Sequence, residues 1–150
     1  AGFSIALAAD IRLAAERSIF VPAFATVAAS GDFGGSWFLT QLVGPAMARE
    51  LMFTADRIDA HECARLGLAN HVVPADELDK AATELATRIA AGPPIALRWM
   101  KANLNRALTQ SLEDVLENEA ELMVSGAATE DYLEAVAAFQ EKRPPKFRGR

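Results

Sequence analysis

The chain has 150 residues, 51% of them apolar, and a formal net charge of −5. That length and apolar content suit one globular domain with a sizeable core, and they exclude a disordered, collagenous or fibrous chain. The acidic balance argues against a surface that tracks nucleic-acid phosphates, because such binding needs clustered Lys and Arg to release counterions.

Cys63 is the single cysteine, so neither an intrachain disulfide nor a Cys-based zinc cluster can form. No apolar run reaches the roughly 20 residues of a membrane span, and the opening apolar stretch is interrupted by Asp10 and Arg12. The expectation is a cytoplasmic protein with neither a nucleic-acid nor a membrane partner and with no metal site. The first residue is Ala, and no basic segment precedes the opening apolar stretch. More chain is therefore expected upstream.

Up to Gly44 the texture is that of short strands and loops. "DIRLAAE" and "SIFVPAFATVAA" mix β-branched residues with Ala, punctuated by Gly and Pro. Within "AASGDFGGSW", Asp32 stands between small residues, ahead of an apolar helix expected to start near Gly34 or Gly35. Its spacing suits an N-cap, since an Asp side chain accepts the orphan amide hydrogens of a first turn. Gly31, Gly34 and Gly35 would let the backbone approach a ligand closely.

After Gly44 helical periods dominate. "PAMARELMFTA" opens with Pro45 at a first helical position, and "DAHECARLGLAN" reads as a short helix capped by Asp59 and ended by Gly67. "HVVP" is a brief strand stopped by Pro74. Four helices are expected beyond it: "ADELDKAATELATRIAAG", "PPIALRWMKANLNRAL", "SLEDVLENEAELMVSG" with Ser111 as its cap, and "ATEDYLEAVAAFQEKR", which Pro144-Pro145 should stop. A basic tail, "KRPPKFRGR", closes the chain. His61, on an exposed helical face, and His71, at the start of a strand, have no second well-spaced ligand and read as structural. Cys63 reads as a small apolar filler, Trp37 and Trp99 as packing groups, and Asp10 as structural.

Several segments, in order, resemble the enoyl-CoA hydratase/isomerase (crotonase) superfamily: "AGFSIALAADIRLAAERSIFVP", the block from Gly34 through Pro74, "AAGPPIALRWMKANLNRAL" and "EAVAAFQEKRPPKF". The terminal pattern of Phe139, Lys142, Arg143, Pro145 and Phe147 is among the most specific pieces. The resemblance implies an α/β fold: the C-terminal part of a crotonase-like ββα spiral, residues 1–74, followed by a helical trimerisation region, residues 75–150. It implies an acyl-CoA thioester as substrate, no cofactor beyond that coenzyme A, and assembly into homotrimers or hexamers.

The resemblance also implies an oxyanion hole of two backbone N–H groups. One would lie in an upstream segment, and the other maps to Ala1, with Gly2 beside it. The two glutamates that hydratases of this superfamily use map to Ser4 and Phe24, neither of which exchanges a proton near neutral pH. Asp32 falls where branches without those glutamates place an aspartate. Its surroundings resemble the ring-epoxide phenylacetyl-CoA isomerase and 4-chlorobenzoyl-CoA dehalogenase branches, with Gly31 replacing the usual Pro. On this reading Asp32 moves protons, alone or while also capping the helix. Phe24 and Gly31 border the acyl group, unless Phe24 simply packs in the core. Phe139 and Lys142 face the coenzyme A, the alternative for Lys142 and Arg143 being a solvated helix end.

The expected activity is isomerisation of an unsaturated or ring acyl-CoA through a stabilised enolate. The alternative is a catalytically incomplete chain serving assembly or CoA binding. RNA binding, known for some relatives, would need a basic face that this chain does not show.

Overall fold

The structure, a computed structural model, describes residues 1–150. It divides into two compact units, Ala1–Thr83 and Glu84–Arg150.

The first unit opens with α1 (Gly2–Leu7), then β1 (Leu13–Ala15), β2 (Ile19–Phe20) and a single 3-10 turn (Ala25–Val27). It continues through α2 (Gly35–Thr54), β3 (Ile58–Asp59), α3 (Ala60–Arg65) and β4 (His71–Val73). β1 pairs in parallel with β4, Leu13 opposite His71, and β2 pairs antiparallel with β3, Ile19 opposite Asp59. The long α2 is two helices meeting at Gly44, whose φ of 76° and ψ of 166° break the spiral. Pro45 begins the second piece, where its missing N–H costs nothing. Asp59 caps α3 by accepting the Glu62 N–H at 2.8 Å.

The core of this unit is small and aliphatic. Leu7, Leu39 and Leu68 are fully buried, with Ala48, Leu51, Ile58 and Cys63 around them. Each large side chain removed from water contributes about 1.5–3 kcal/mol. Burial and the nearby carboxylates of Asp59 and Glu62 push the Cys63 thiol up to about 11, as befits a filler rather than a nucleophile. Phe3 of α1 meets Phe20 of β2 edge to face, centroids 6.5 Å apart. This contact and the packing of α1 on α2 fix the position of the first helix.

A buried Arg12 ties the loop after α1 to the loop before β4. Its guanidinium donates to the carbonyls of Leu68 at 2.8 Å and Ala9 at 2.5 Å, while its own N–H donates to Asn70 Oδ1 at 2.8 Å.

α4 (Leu78–Ala90) runs across the boundary between the units. The second unit then holds α5 (Pro94–Ala107), α6 (Leu112–Ala127) and α7 (Glu130–Glu141). Ser111 caps α6, accepting the Asp114 N–H at 3.2 Å, and Thr129 caps α7, accepting the Tyr132 N–H at 3.1 Å. α7 does not run on to the proline pair. It ends at Lys142, which turns left-handed at φ 55°, and the Arg143 N–H closes the turn on Ala138 O.

The basic tail folds back on α7. Buried Asp131 accepts the N–H groups of Arg148 at 2.6 Å and Gly149 at 2.9 Å. Glu134 takes a two-pronged bond from Arg143 and the Lys146 N–H at 2.8 Å. These donors hold the Glu134 carboxyl down to about 2.

Candidate functional site

Asp32 lies in the loop of residues 28–34, whose backbone is unusual. Ala28, Gly31, Phe33 and Gly34 all have positive φ, at 54°, 129°, 41° and 74°. Left-handed conformations at Ala28 and Phe33 carry strain of about 1–3 kcal/mol each, which the surrounding structure must offset. The φ of Gly31 is one that no proline ring can adopt.

The cap expected of Asp32 is not made. The N-cap of α2 is Gly34, with no side-chain cap, and Asp32 accepts the Gly35 N–H only through its main-chain carbonyl, at 2.8 Å. The reason is the left-handed turn at Phe33 and Gly34, which puts two residues between Asp32 and the helix. Its carboxylate is thereby released to face α1.

There it meets Ala1 and Ser4. The Ala1 main-chain nitrogen lies 3.1 Å from Asp32 Oδ2. Ser4 is completely buried, and its hydroxyl faces the carboxylate without a hydrogen bond of ordinary geometry. Ser4 Oγ and Asp32 Oδ1 are both shielded from water and unpartnered. The Ser4 hydroxyl holds the Asp32 carboxyl below its ordinary value, against an opposing cost of desolvation. The carboxylate is therefore ionised at neutral pH, the state in which it can accept a proton.

The first unit thus brings Ala1, Ser4, Asp32 and Gly35 together. Gly2, next to Ala1, is the first residue of α1 and is exposed. First-turn amides of a helix have no carbonyl partner within the helix, so they can be donors to something else. Phe24 is half-buried at the start of the 3-10 turn and stands outside the aliphatic core. Gly31 faces the Ser36 hydroxyl and the end of Met52. Trp37 is 47% exposed rather than buried among helices, and its ring meets Phe38 edge to face at 5.1 Å.

In the second unit, Phe139 is 86% exposed on the last turn of α7, and Lys142 is the exposed left-handed residue that ends it. Arg143 beside them is committed to Glu134 and Glu141, which hold its guanidinium charged. An apolar cavity of about 410 Å³ opens among α5, α6, α7 and the tail, lined by Ile95, Trp99, Leu122, Met123, Tyr132 and Phe147. None of the residues expected to act in the site lines it, and the Asp131 carboxylate at its edge is occupied by the tail amides.

Sequence reasoning missed Ser4 as a partner of Asp32. The available signal was helical spacing: Ser4 and Leu7 lie three apart, on the one face of α1 that is buried.

Short strand pairs feed into helices, and a carboxylate from the loop before α2 faces the start of α1, in an α/β arrangement. The family model for enoyl-CoA hydratase/isomerase matches residues 1–150, and the chain belongs to that family. It is 37% identical over 142 residues to the short-chain-enoyl-CoA hydratase of Clostridium acetobutylicum, covering 95% of this chain and 54% of that protein. It is 33% identical over 150 residues to the 1,2-epoxyphenylacetyl-CoA isomerase of Escherichia coli, covering 100% of this chain and 57% of that protein. Among solved structures, the enoyl-CoA hydratase of Bacillus anthracis superposes with a TM-score of 0.95 at 36% identity, over 99% of this chain and 58% of its own. The chain therefore spans a little over half the length of the relatives it matches. No helix is long and apolar enough to cross a membrane.

Proposed function

We propose that the native protein binds acyl-CoA thioesters and isomerises an unsaturated or ring acyl-CoA, with Asp32 as the proton-transfer residue. One observation carries this reading. An ionised carboxylate stands 3.1 Å from the nitrogen of Ala1, the position at which the family resemblance puts an oxyanion donor, while the two glutamate positions hold Ser4 and Phe24.

In this reading the Asp32 carboxylate takes a proton from a carbon conjugated with the thioester. The electron pair moves onto the thioester oxygen, and the same carboxyl, its proton exchanging with water, delivers a proton at another carbon. The Ala1 and Gly2 N–H groups stabilise the oxygen. A donor aimed at charge that develops only in the transition state is worth about 2.7–4 kcal/mol. Phe24 and Gly31 border the acyl group. No further cofactor takes part.

The apolar side chains left exposed on α5, α6 and α7, among them Leu104, Val124 and Leu133, support assembly of the native protein into homotrimers or hexamers. Without the oxyanion donor expected from an upstream segment, the chain would retain only that assembly and CoA-binding role.

The discriminating experiment incubates the native full-length protein with a panel of unsaturated acyl-CoAs and identifies the products. Double-bond or ring isomers are expected. Accumulation of hydroxyacyl-CoA in their place would show hydration and overturn the isomerase reading.

A further inference from the structure

The carboxylate of Asp32 is isolated from other charged side chains. α1, the loop of residues 28–34 and α2 as far as Pro45 contain no other ionisable side chain. The Ala1 main-chain nitrogen faces it from the start of α1, and Ser4 supplies the neighbouring hydroxyl. Ser4 itself has almost no freedom. Its Oγ occupies the space that a Cβ on Gly35 would fill, and its Cβ lies 2.9 Å from that same point, so the side chain is seated directly on the glycine backbone. The residue is completely buried, yet its hydroxyl has no hydrogen-bond partner of ordinary geometry.

A buried hydroxyl without a partner is destabilising, and an Ala would fit the same seat. Packing alone therefore gives no reason for the oxygen atom. It faces Asp32, whose Oδ1 is also buried and unpartnered. We infer that Ser4 is a positioning residue for Asp32: held against Gly35, its hydroxyl restricts the rotation of the carboxylate and aims it at the reacting carbon. This rests on the proton-transfer role proposed for Asp32. The unpartnered geometry of the free protein fits that role, because catalytic hydrogen bonds are often long before substrate binds and tighten in the complex. Ser4 also favours the ionised form of the carboxylate, so its loss has a readout that packing would not produce.

The test compares Ser4→Ala with Asp32→Asn in the native full-length protein, measuring kcat, the pH profile of kcat/KM and thermal unfolding. Ser4→Ala is expected to fold at least as stably as the parent while losing about tenfold to a hundredfold in kcat, the cost of a misaimed catalytic group. The acid limb of its profile should move to higher pH, because the carboxyl that must be ionised has lost a group holding its pKa down. An unchanged kcat and acid limb in Ser4→Ala, beside an inactive Asp32→Asn, would overturn the role of Ser4 and leave that of Asp32 standing. Full activity in Asp32→Asn would overturn both.

Discussion

Ser4 Oγ sits where a side chain on Gly35 would begin, so α1 and α2 approach each other through a serine and a glycine. That contact brings the start of one helix to the loop before the other and creates the candidate site. Gly35→Ala is therefore expected to destabilise the fold by about 1–3 kcal/mol, the usual cost of overpacking a filled core. Gly2→Ala is the control, since a Cβ there meets nothing within 4 Å. Denaturant unfolding of the two variants should separate them clearly. Equal stabilities would mean that the helices can part without cost.

The buried guanidinium of Arg12 serves carbonyl oxygens on both sides of the chain crossing. Removing it in Arg12→Met leaves the carbonyl of Leu68 without its donor, a loss of about 1–3 kcal/mol. Arg12→Lys should restore only part of it, because one ammonium cannot reproduce the spread of the planar fork. Chemical denaturation curves for both variants give the comparison.

Acid should loosen the second unit first at the tail. Glu134 titrates near 2 in the folded chain against an ordinary 4.5, so the folded state binds fewer protons between those values. Its contribution is fully present above about pH 4.5 and is lost as the pH falls towards 2. Glu134→Gln should flatten the decline of stability across that window without abolishing it, because the depressed carboxyls of Asp32 and Glu62 act in the same direction. Thermal unfolding as a function of pH reads this directly.

Much of the helical half was legible because its signals are local. Ser111 followed by Asp114, Asp59 followed by Glu62 and Pro45 after Gly44 each specify a cap or a start within one turn, and each occurs where expected. The stop of α7 was misread because a left-handed Lys142 competes with the prolines as a terminator, and nothing in a lysine announces that conformation. The tail read only as a basic segment, facing the coenzyme A or ending a solvated helix. Its ties run from Asp131 and Glu134 to main-chain N–H groups, which have no residue-type signature.

The same limit applied at the site. Asp32 was singled out, but its cap was expected from spacing alone, and the positive φ of Phe33 that removes it belongs to a residue type that seldom adopts it. The meeting of Ser4 with Asp32 is a contact between two separate elements, beyond the reach of any periodicity. The family resemblance supplied the positions of Ala1, Ser4 and Phe24, and the fold supplied the contact.

The most direct test of the account is proton exchange on the acyl group. The native full-length protein, incubated in deuterated water with an unsaturated acyl-CoA, should introduce deuterium at the carbons between which the double bond moves. Asp32→Asn, with its thermal unfolding unchanged, should lose about 10²–10⁴-fold of that exchange, the span expected for a general acid-base group. Exchange at the parental rate in Asp32→Asn would contradict the assignment of proton transfer to this carboxylate.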